Sequence, residues 1–327
     1  MNNNNNSYLD VDSKRKEITL KEKSEKYIKA STSDSTRKAY QKAIKHFLNW
    51  GGQLPADTNQ ILLYLTDYAE SLNPRSLSLH ITAIRNWHLT QNLTDPTHCT
   101  EVKHLMKGIR RIHGKPKQKA RTFNLETLEE MINLLKDKDT LASKRDLAIL
   151  LIGFLGGFRR SELATLDLKN IRFEDSGLLV TLAKSKTDQE GEGIEKGIPY
   201  GSTHICPVTA LKEWLLSANI TEGPLFRAVT RWGKVDERPL YPSSINRILK
   251  KIASDIGLTP EFIEYFSSHS LRRSMSTNAH NEDASFDSIK RQGGWRYDGT
   301  VRGYIDYADI FKDNAAGVLL NKLNENN

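Results

Sequence analysis

Residues 267–307 read SSHSLRRSMSTNAHNEDASFDSIKRQGGWRYDGTVRGYIDY, and they set out phosphate-handling groups in order. His269 and Arg272 lie three residues apart, so on a helix they share a face. Side by side, an imidazole and a guanidinium can donate to the oxygens of one phosphate, and the guanidinium can bind two at once. Gly293-Gly294-Trp295 then forms a tight bend whose indole N–H can only donate. Tyr304, nine residues beyond Trp295, carries a phenol that can act as a nucleophile once its proton and the phosphate charge are managed.

Working back along the chain, KRDLAILLIGFLGGFRRSELATLDL occupies residues 144–168. Its apolar run is too short to span a membrane and is flanked by charge, which predicts a buried helix broken at Gly156-Gly157. Arg159 and Glu162 stand at i and i+3, where the carboxylate can hold the guanidinium, while Leu163 and Leu166 face a core.

The order H-x-x-R, G-G-W, Tyr, preceded by G-F-R-R-S-E-L, resembles the tyrosine recombinase (phage integrase) family, in its Cre-like branch with Trp where many members have His. The resemblance covers roughly residues 30–320. It implies a mainly α fold: a helical core-binding bundle plus an α-rich catalytic domain with a small antiparallel β-sheet, together a C-shaped clamp on DNA. It implies Tyr304 as nucleophile and Arg159, rather than Arg160, with Arg272 on the phosphate oxygens. His269 would be acid or base, Trp295 a hydrogen-bond donor, and Glu162 a residue that orients Arg159 or His269. Tyr297 and Tyr307 are the rival phenols; the first sits close to Trp295 and the second belongs to the following turn.

After Asn170 the hydrophobic period changes. Ile171–Phe173, Leu178–Ala183 and Lys196–Pro199 read as short strands, the last two joined by a Gly/Glu-rich loop. The family places its catalytic lysine on this hairpin, before a Thr, which implies Lys186, with Lys184 as runner-up. An ammonium there suits protonation of a leaving 5′ oxygen. The glycines of GEGIEKG are not a phosphate loop, since no GK[ST] helix start follows.

Cys206-Pro207 opens another helix, LFRAVTRWGKVDERPL reads as an ordered loop, and YPSSINRILKKIASDIG as an amphipathic helix. Short polar residues and Arg at the last helix's start suit groove insertion, and the resemblance puts Ser243, Asn246 and Arg247 against DNA. The apolar-faced segment from Ile310 and Phe311 to Leu323 follows the nucleophile. It packs on its own domain or docks in trans, as the family's C-terminal helix does.

Toward the N-terminus, stripes at helical spacing predict a small bundle with no strands, and by the resemblance Lys38 and Arg75 lie on its DNA-facing helices. The predicted organisation is a flexible arm (1–29), the DNA-binding bundle (30–113), a basic linker (114–121), the catalytic domain (122–308) and a C-terminal helix and tail (309–327). Residues 1–120 hold 20 basic and 11 acidic residues, so the net charge of +8 is concentrated there. From Val102 to Arg121 eight Lys/Arg stand without an acid, as suits a phosphate-following stretch.

Cys99 and Cys206 are too few and too distant for a disulfide framework or zinc site. No membrane span or signal peptide is legible, so the expected location is cytoplasmic and nucleoid-associated. No cofactor or metal is expected. The implied partner is double-stranded DNA with an inverted-repeat recombination site, bound by a homotetramer on two such sites, as in a mobile genetic element. Two other readings use the same fold: a catalytically silent DNA-binding regulator, and a type IB topoisomerase-like relaxing enzyme.

Overall fold

The structure, a computed structural model, describes residues 19–116, 118–182, 193–305 and 315–324. The chain divides into two compact units, Met1–Lys117 and Gln118–Asn327.

In the first unit, residues 19–30 are helical and exposed. Helix α1 (Asp34–Trp50) starts where the Ser33 hydroxyl accepts the Thr36 N–H, and stops at Gly51 in the left-handed region. Asp57 caps α2 (Thr58–Asp67) by accepting the Gln60 N–H at 2.8 Å. Asn73 caps α3 (Pro74–Thr90), whose first position tolerates a proline because its N–H has no intrahelical partner. Helix α4 (Thr100–His113) gathers Arg110, Arg111 and His113 in its last turn, where cations suit the helix dipole. The apolar stripes meet in a core of Phe47, Ile61, Leu65, Leu77, Ile84, Met106 and Ile109. Lys38 on α1 and Arg75 on α3 are exposed.

The second unit is built around a buried helix. Asn124 caps α5 (Leu125–Lys138), and Thr140 and Ser143 cap α6 (Leu141–Leu155) reciprocally. From Leu147 to Phe154 every residue of α6 is buried, which is why its sequence is apolar all round rather than striped. Strands β1 (Ile171–Glu174), β2 (Gly177–Leu182) and β3 (Ile194–Pro199) form an antiparallel sheet in that order. Lys196 pairs with Val180, and Ile198 with Leu178. Period-two alternation turns Lys196 and Ile198 into the unit and leaves Glu195 and Gly197 outside. Ala183 and the β2–β3 loop, with Lys184 and Lys186, lie outside the described residues.

Helix α7 (Arg160–Ala164) precedes the sheet and α8 (Pro207–Ser217) follows it, burying Trp214 fully while its indole N–H donates to Leu225 O at 2.8 Å. The stretch expected to be an ordered loop is instead a hairpin, β4 (Arg227–Val229) with β5 (Val235–Pro239). Its strands are short, without alternating burial, so no period betrays them; the Thr230 N–H to Lys234 O bond closes the turn. Then come α9 (Pro242–Asp255), α10 (Pro260–Glu264), α11 (Ser268–Asn281), α12 (Phe286–Gly293), α13 (Asp298–Tyr304) and α14 (Ala315–Asn324). Helix α14 leaves Val318, Leu319, Leu320 and Leu323 exposed. Among the described residues no helix is long and apolar enough to cross a membrane.

Candidate active site

Helix α11 carries the H-x-x-R pair. Ser267 and Ser270 form a reciprocal capping box at its start, and the Ser268 N–H donates to Asn246 Oδ1 of α9 at 3.0 Å. This first turn fixes the direction of the helix, leaving His269 exposed and Arg272 fully buried. Arg272 Nη1 donates to Gly157 O. Its Nε and Nη2 are buried and make no hydrogen bond of normal geometry among the described residues, while the nearby Tyr304 hydroxyl favours the charged form. Burial first, then the nearby positive charge of Arg159, pushes its pKa down to about 10, so it remains a cation at neutral pH.

The glycines of G-G-W have separate tasks. Gly294 ends α12 at φ +63°, a conformation that side chains resist, and turns the chain back on itself. Gly293 makes room for the indole: a Cβ there would lie 1.7 Å from the Trp295 ring. So placed, Trp295 is buried with its ring centre 4.0 Å from the Arg272 guanidinium carbon. Tyr304, at the end of α13, is half-buried. Its ring centre lies 5.1 Å from that of Trp295, 5.4 Å from the Arg272 guanidinium carbon and 6.4 Å from the His269 ring. Val301 buries the inner face of α13, and Lys290 of α12 reaches Asp298 at 2.6 Å, which ties the two short helices together.

Arg159 enters from the other side of the core. Gly157, at φ +53°, turns the chain out of α6, and Phe158 is buried directly behind. Glu162 Oε2 accepts the Arg159 backbone N–H at 2.9 Å and Oε1 accepts Nη1 at 2.6 Å. Burial opposes the charge on Glu162, but those two bonds and the cations of Arg159 and Lys196 outweigh it, holding the carboxyl below its ordinary range. Arg160 is exposed.

The structure thus brings together Arg159, Glu162, His269, Arg272, Trp295 and Tyr304. Lys186 and Tyr307 lie outside the described residues, and Tyr297 is exposed at the N-cap of α13. On α9, Ser243 and Arg247 are exposed, whereas Asn246 is half-buried with its side-chain oxygen turned to α11.

Sequence reasoning missed Lys196. It is 2% exposed, donates to Gly156 O at 2.8 Å and lies 4.7 Å from the Phe158 ring centre. Desolvation, then the charge of Arg272, lowers its pKa to about 7; Glu162 acts the other way and Arg159 adds to the lowering. The signal was its place in I-E-K-G-I, on the inward register with Ile194 and Ile198.

The assembly concentrates cations around a phenol. Two guanidinium groups, one with donors left over among the described residues, suit an anion that presents two oxygens rather than a neutral ligand. Among the described residues no three His, Cys, Asp or Glu side chains converge as metal ligands do.

Comparison with known proteins agrees with this reading. Residues 121–309 match the model of the phage integrase family. The chain is 34% identical over 309 residues to an integrase/recombinase XerD homolog of Selenomonas ruminantium, covering 92% of this chain and 89% of that protein. It is 23% identical over 279 residues to the recombinase Cre of Escherichia phage P1, covering 80% and 78%. A lambda integrase (75–356) dimer bound to a COC′ core site shares the fold at a TM-score of 0.57 and 16% identity, over 88% of this chain and 94% of that one. With its motifs, its buried arginine and these relatives, the chain belongs to the phage integrase family, the tyrosine recombinases that cleave and rejoin DNA.

Proposed function

We propose that this recombinase exchanges strands between two copies of a specific DNA site through a 3′-phosphotyrosine intermediate and a Holliday junction. The observation that carries the proposal is the buried Arg272 guanidinium, 4.0 Å from the Trp295 ring centre and 5.4 Å from that of Tyr304, with Nε and Nη2 left over as donors among the described residues.

Tyr304 attacks the scissile phosphorus; the new bond is P–O(Tyr304) and the bond broken is P–O5′. Its phenolic proton passes to His269. Arg159 and Arg272 neutralise the two non-bridging oxygens as charge builds on them, a contribution worth roughly 10²–10³ in rate per donor in comparable anion sites. Trp295 donates its N–H and packs the pocket, Glu162 orients Arg159, and Lys186 protonates the leaving 5′ oxygen. The covalent link conserves the energy of the phosphodiester, so attack by a different 5′ hydroxyl completes the exchange.

The substrate is double-stranded DNA with inverted repeats, held by a homotetramer on two sites. A solved lambda integrase tetramer on a Holliday junction supports that stoichiometry by family likeness. The bundle (30–113), the basic linker (114–121) and the catalytic domain (122–308) would each contact the duplex. Lys38, Arg75, Ser243, Asn246 and Arg247 would contact it. The segment 309–327 docks on a neighbouring subunit, and the protein acts in the cytoplasm at the nucleoid, as a mobile-element recombinase does.

The test is covalent capture. Incubation with random-sequence duplexes, denaturation in detergent and sequencing of the attached DNA should yield an inverted-repeat site. Tyr304→Phe should abolish the attachment and keep the binding. A parent protein that binds but never attaches would instead be a silent regulator, and one that relaxes plasmid lacking any such site would be a topoisomerase-like enzyme.

A further inference from the structure

The turn that leads into Arg159 is held by its carbonyls. Helix α6 ends at Leu155, and the last carbonyls of any helix lack intrahelical partners. No basic residue stands in the last turn of α6 to meet them. Three side chains from three other elements do so in succession. Gln292 Nε2, on α12, donates to Leu155 O at 2.7 Å and to Gly197 O of β3 at 3.1 Å. Lys196 Nζ, on β3, donates to Gly156 O at 2.8 Å. Arg272 Nη1, on α11, donates to Gly157 O. Arg272 among these donors stays a cation, which suits the negative end of the helix.

We infer that Lys196 is a positioning residue for Arg159: with Gln292 it clamps the Leu155–Gly157 turn against β3, so that the first arginine is held in place by the sheet. The inference rests on the reading of Arg159 as a ligand of the scissile phosphate. Lys196 does not itself meet the DNA. It is 2% exposed, its Nζ lies 4.7 Å from the Phe158 ring centre, and one N–H is spent on Gly156 O. It acts through the backbone two residues before Phe158-Arg159, at a distance where a shift of about 1 Å in a reacting group costs on the order of a hundredfold in rate.

The experiment uses the full chain and a duplex selected by the parent protein through covalent capture, nicked so that cleavage is irreversible. Lys196→Met keeps the stem and removes the donor. It is expected to slow single-turnover cleavage about a hundredfold while DNA affinity stays within about threefold. In an Arg159→Ala background the same change should cost no more than about twofold, because the group it positions is gone. Gln292→Leu, which leaves the buried charge alone, should reproduce the defect in milder form and the same non-additivity.

A second duplex, with sulfur in place of the bridging 5′ oxygen, separates positioning from proton donation. A thiolate leaves without a proton, so the Lys196→Met defect should persist on it. Rescue by the sulfur, a full defect in the Arg159→Ala background, or cleavage within about twofold of the parent would each overturn the inference. If Lys196→Met does not fold, the same three criteria applied to Gln292→Leu decide it. A parent that captures no duplex at all sinks the recombinase reading and this inference with it. A parent that captures while the variants cleave normally sinks the inference alone.

Discussion

Glu162 grips Arg159 at both ends, its Oε2 on the backbone N–H at 2.9 Å and its Oε1 on Nη1 at 2.6 Å. The carboxylate therefore fixes both where α7 begins and where the guanidinium points.

Glu162→Gln keeps the shape but offers one acceptor oxygen in place of two, so either the backbone N–H or Nη1 of Arg159 loses its partner and faces an amide donor. The expected cost at pH 7 is about 1–3 kcal/mol, read by urea denaturation. Because the folded pKa of Glu162 lies below its ordinary 4.5, its stabilising contribution is complete above that value and is lost as pH falls through the folded pKa. The gap between parent and variant should narrow below pH 4.5. A gap that stays constant down to pH 3 would assign the effect to packing.

Trp295 packs its ring on Arg272, and in the proposed reaction its N–H donates to the phosphate. Trp295→Ala removes both and should cost about 3–5 kcal/mol of stability. Trp295→Phe keeps a ring for the guanidinium and should recover most of that stability while cleavage stays slow. Equal cleavage by Phe variant and parent would mean that the N–H does nothing.

Lys196, with a pKa of about 7, is mostly neutral at pH 8 in the free protein. Arg272, Arg159 and Glu162 face it, and a phosphate bound among them adds negative charge, which favours the ammonium. DNA binding at pH 8 should therefore take up a proton. Calorimetry in two buffers of different ionisation enthalpy reads it, and Lys196→Met should remove it. Identical apparent enthalpies for the parent in the two buffers would contradict the prediction.

On α9 two neighbours should behave differently. Asn246→Ala deprives the Ser268 N–H of its acceptor and should lower stability by about 1 kcal/mol in the absence of DNA. Arg247→Ala, exposed, should leave stability unchanged within about 0.5 kcal/mol. It should instead reduce the salt dependence of DNA binding by about one unit of slope if it meets a phosphate.

Helix α14 exposes Val318, Leu319, Leu320 and Leu323, more aliphatic surface than a ten-residue helix leaves in water without cause. Leu319→Glu with Leu320→Glu should leave single-subunit binding intact and prevent assembly of larger protein–DNA complexes on a native gel. Unchanged assembly would place that face elsewhere.

Much of this was legible before folding. The all-apolar run in α6, the bundle stripes and the H-x-x-R spacing are local periodicities, and local periodicity survives in a sequence. Glu162 could be paired with Arg159 because the two are three residues apart. For Lys196 the sequence carried only its inward register in I-E-K-G-I, since its partners, Gly156, Phe158 and Arg272, come from distant segments. The β4–β5 hairpin escaped because neither strand alternates. Asn246 read as a polar residue at the start of α9, and only the packed chain turns its oxygen toward α11. Lys186 stands on sequence resemblance alone, in a loop outside the described residues.

The 1.7 Å approach between a Cβ at position 293 and the Trp295 ring restricts the order in which the two positions can change. A side chain at 293 is blocked for as long as the indole is present, whereas a smaller ring at 295 is open at once. Mutational routes away from G-G-W must therefore begin at the aromatic residue. A selection started from the parent gene should recover replacements at 293 only on backgrounds already altered at 295.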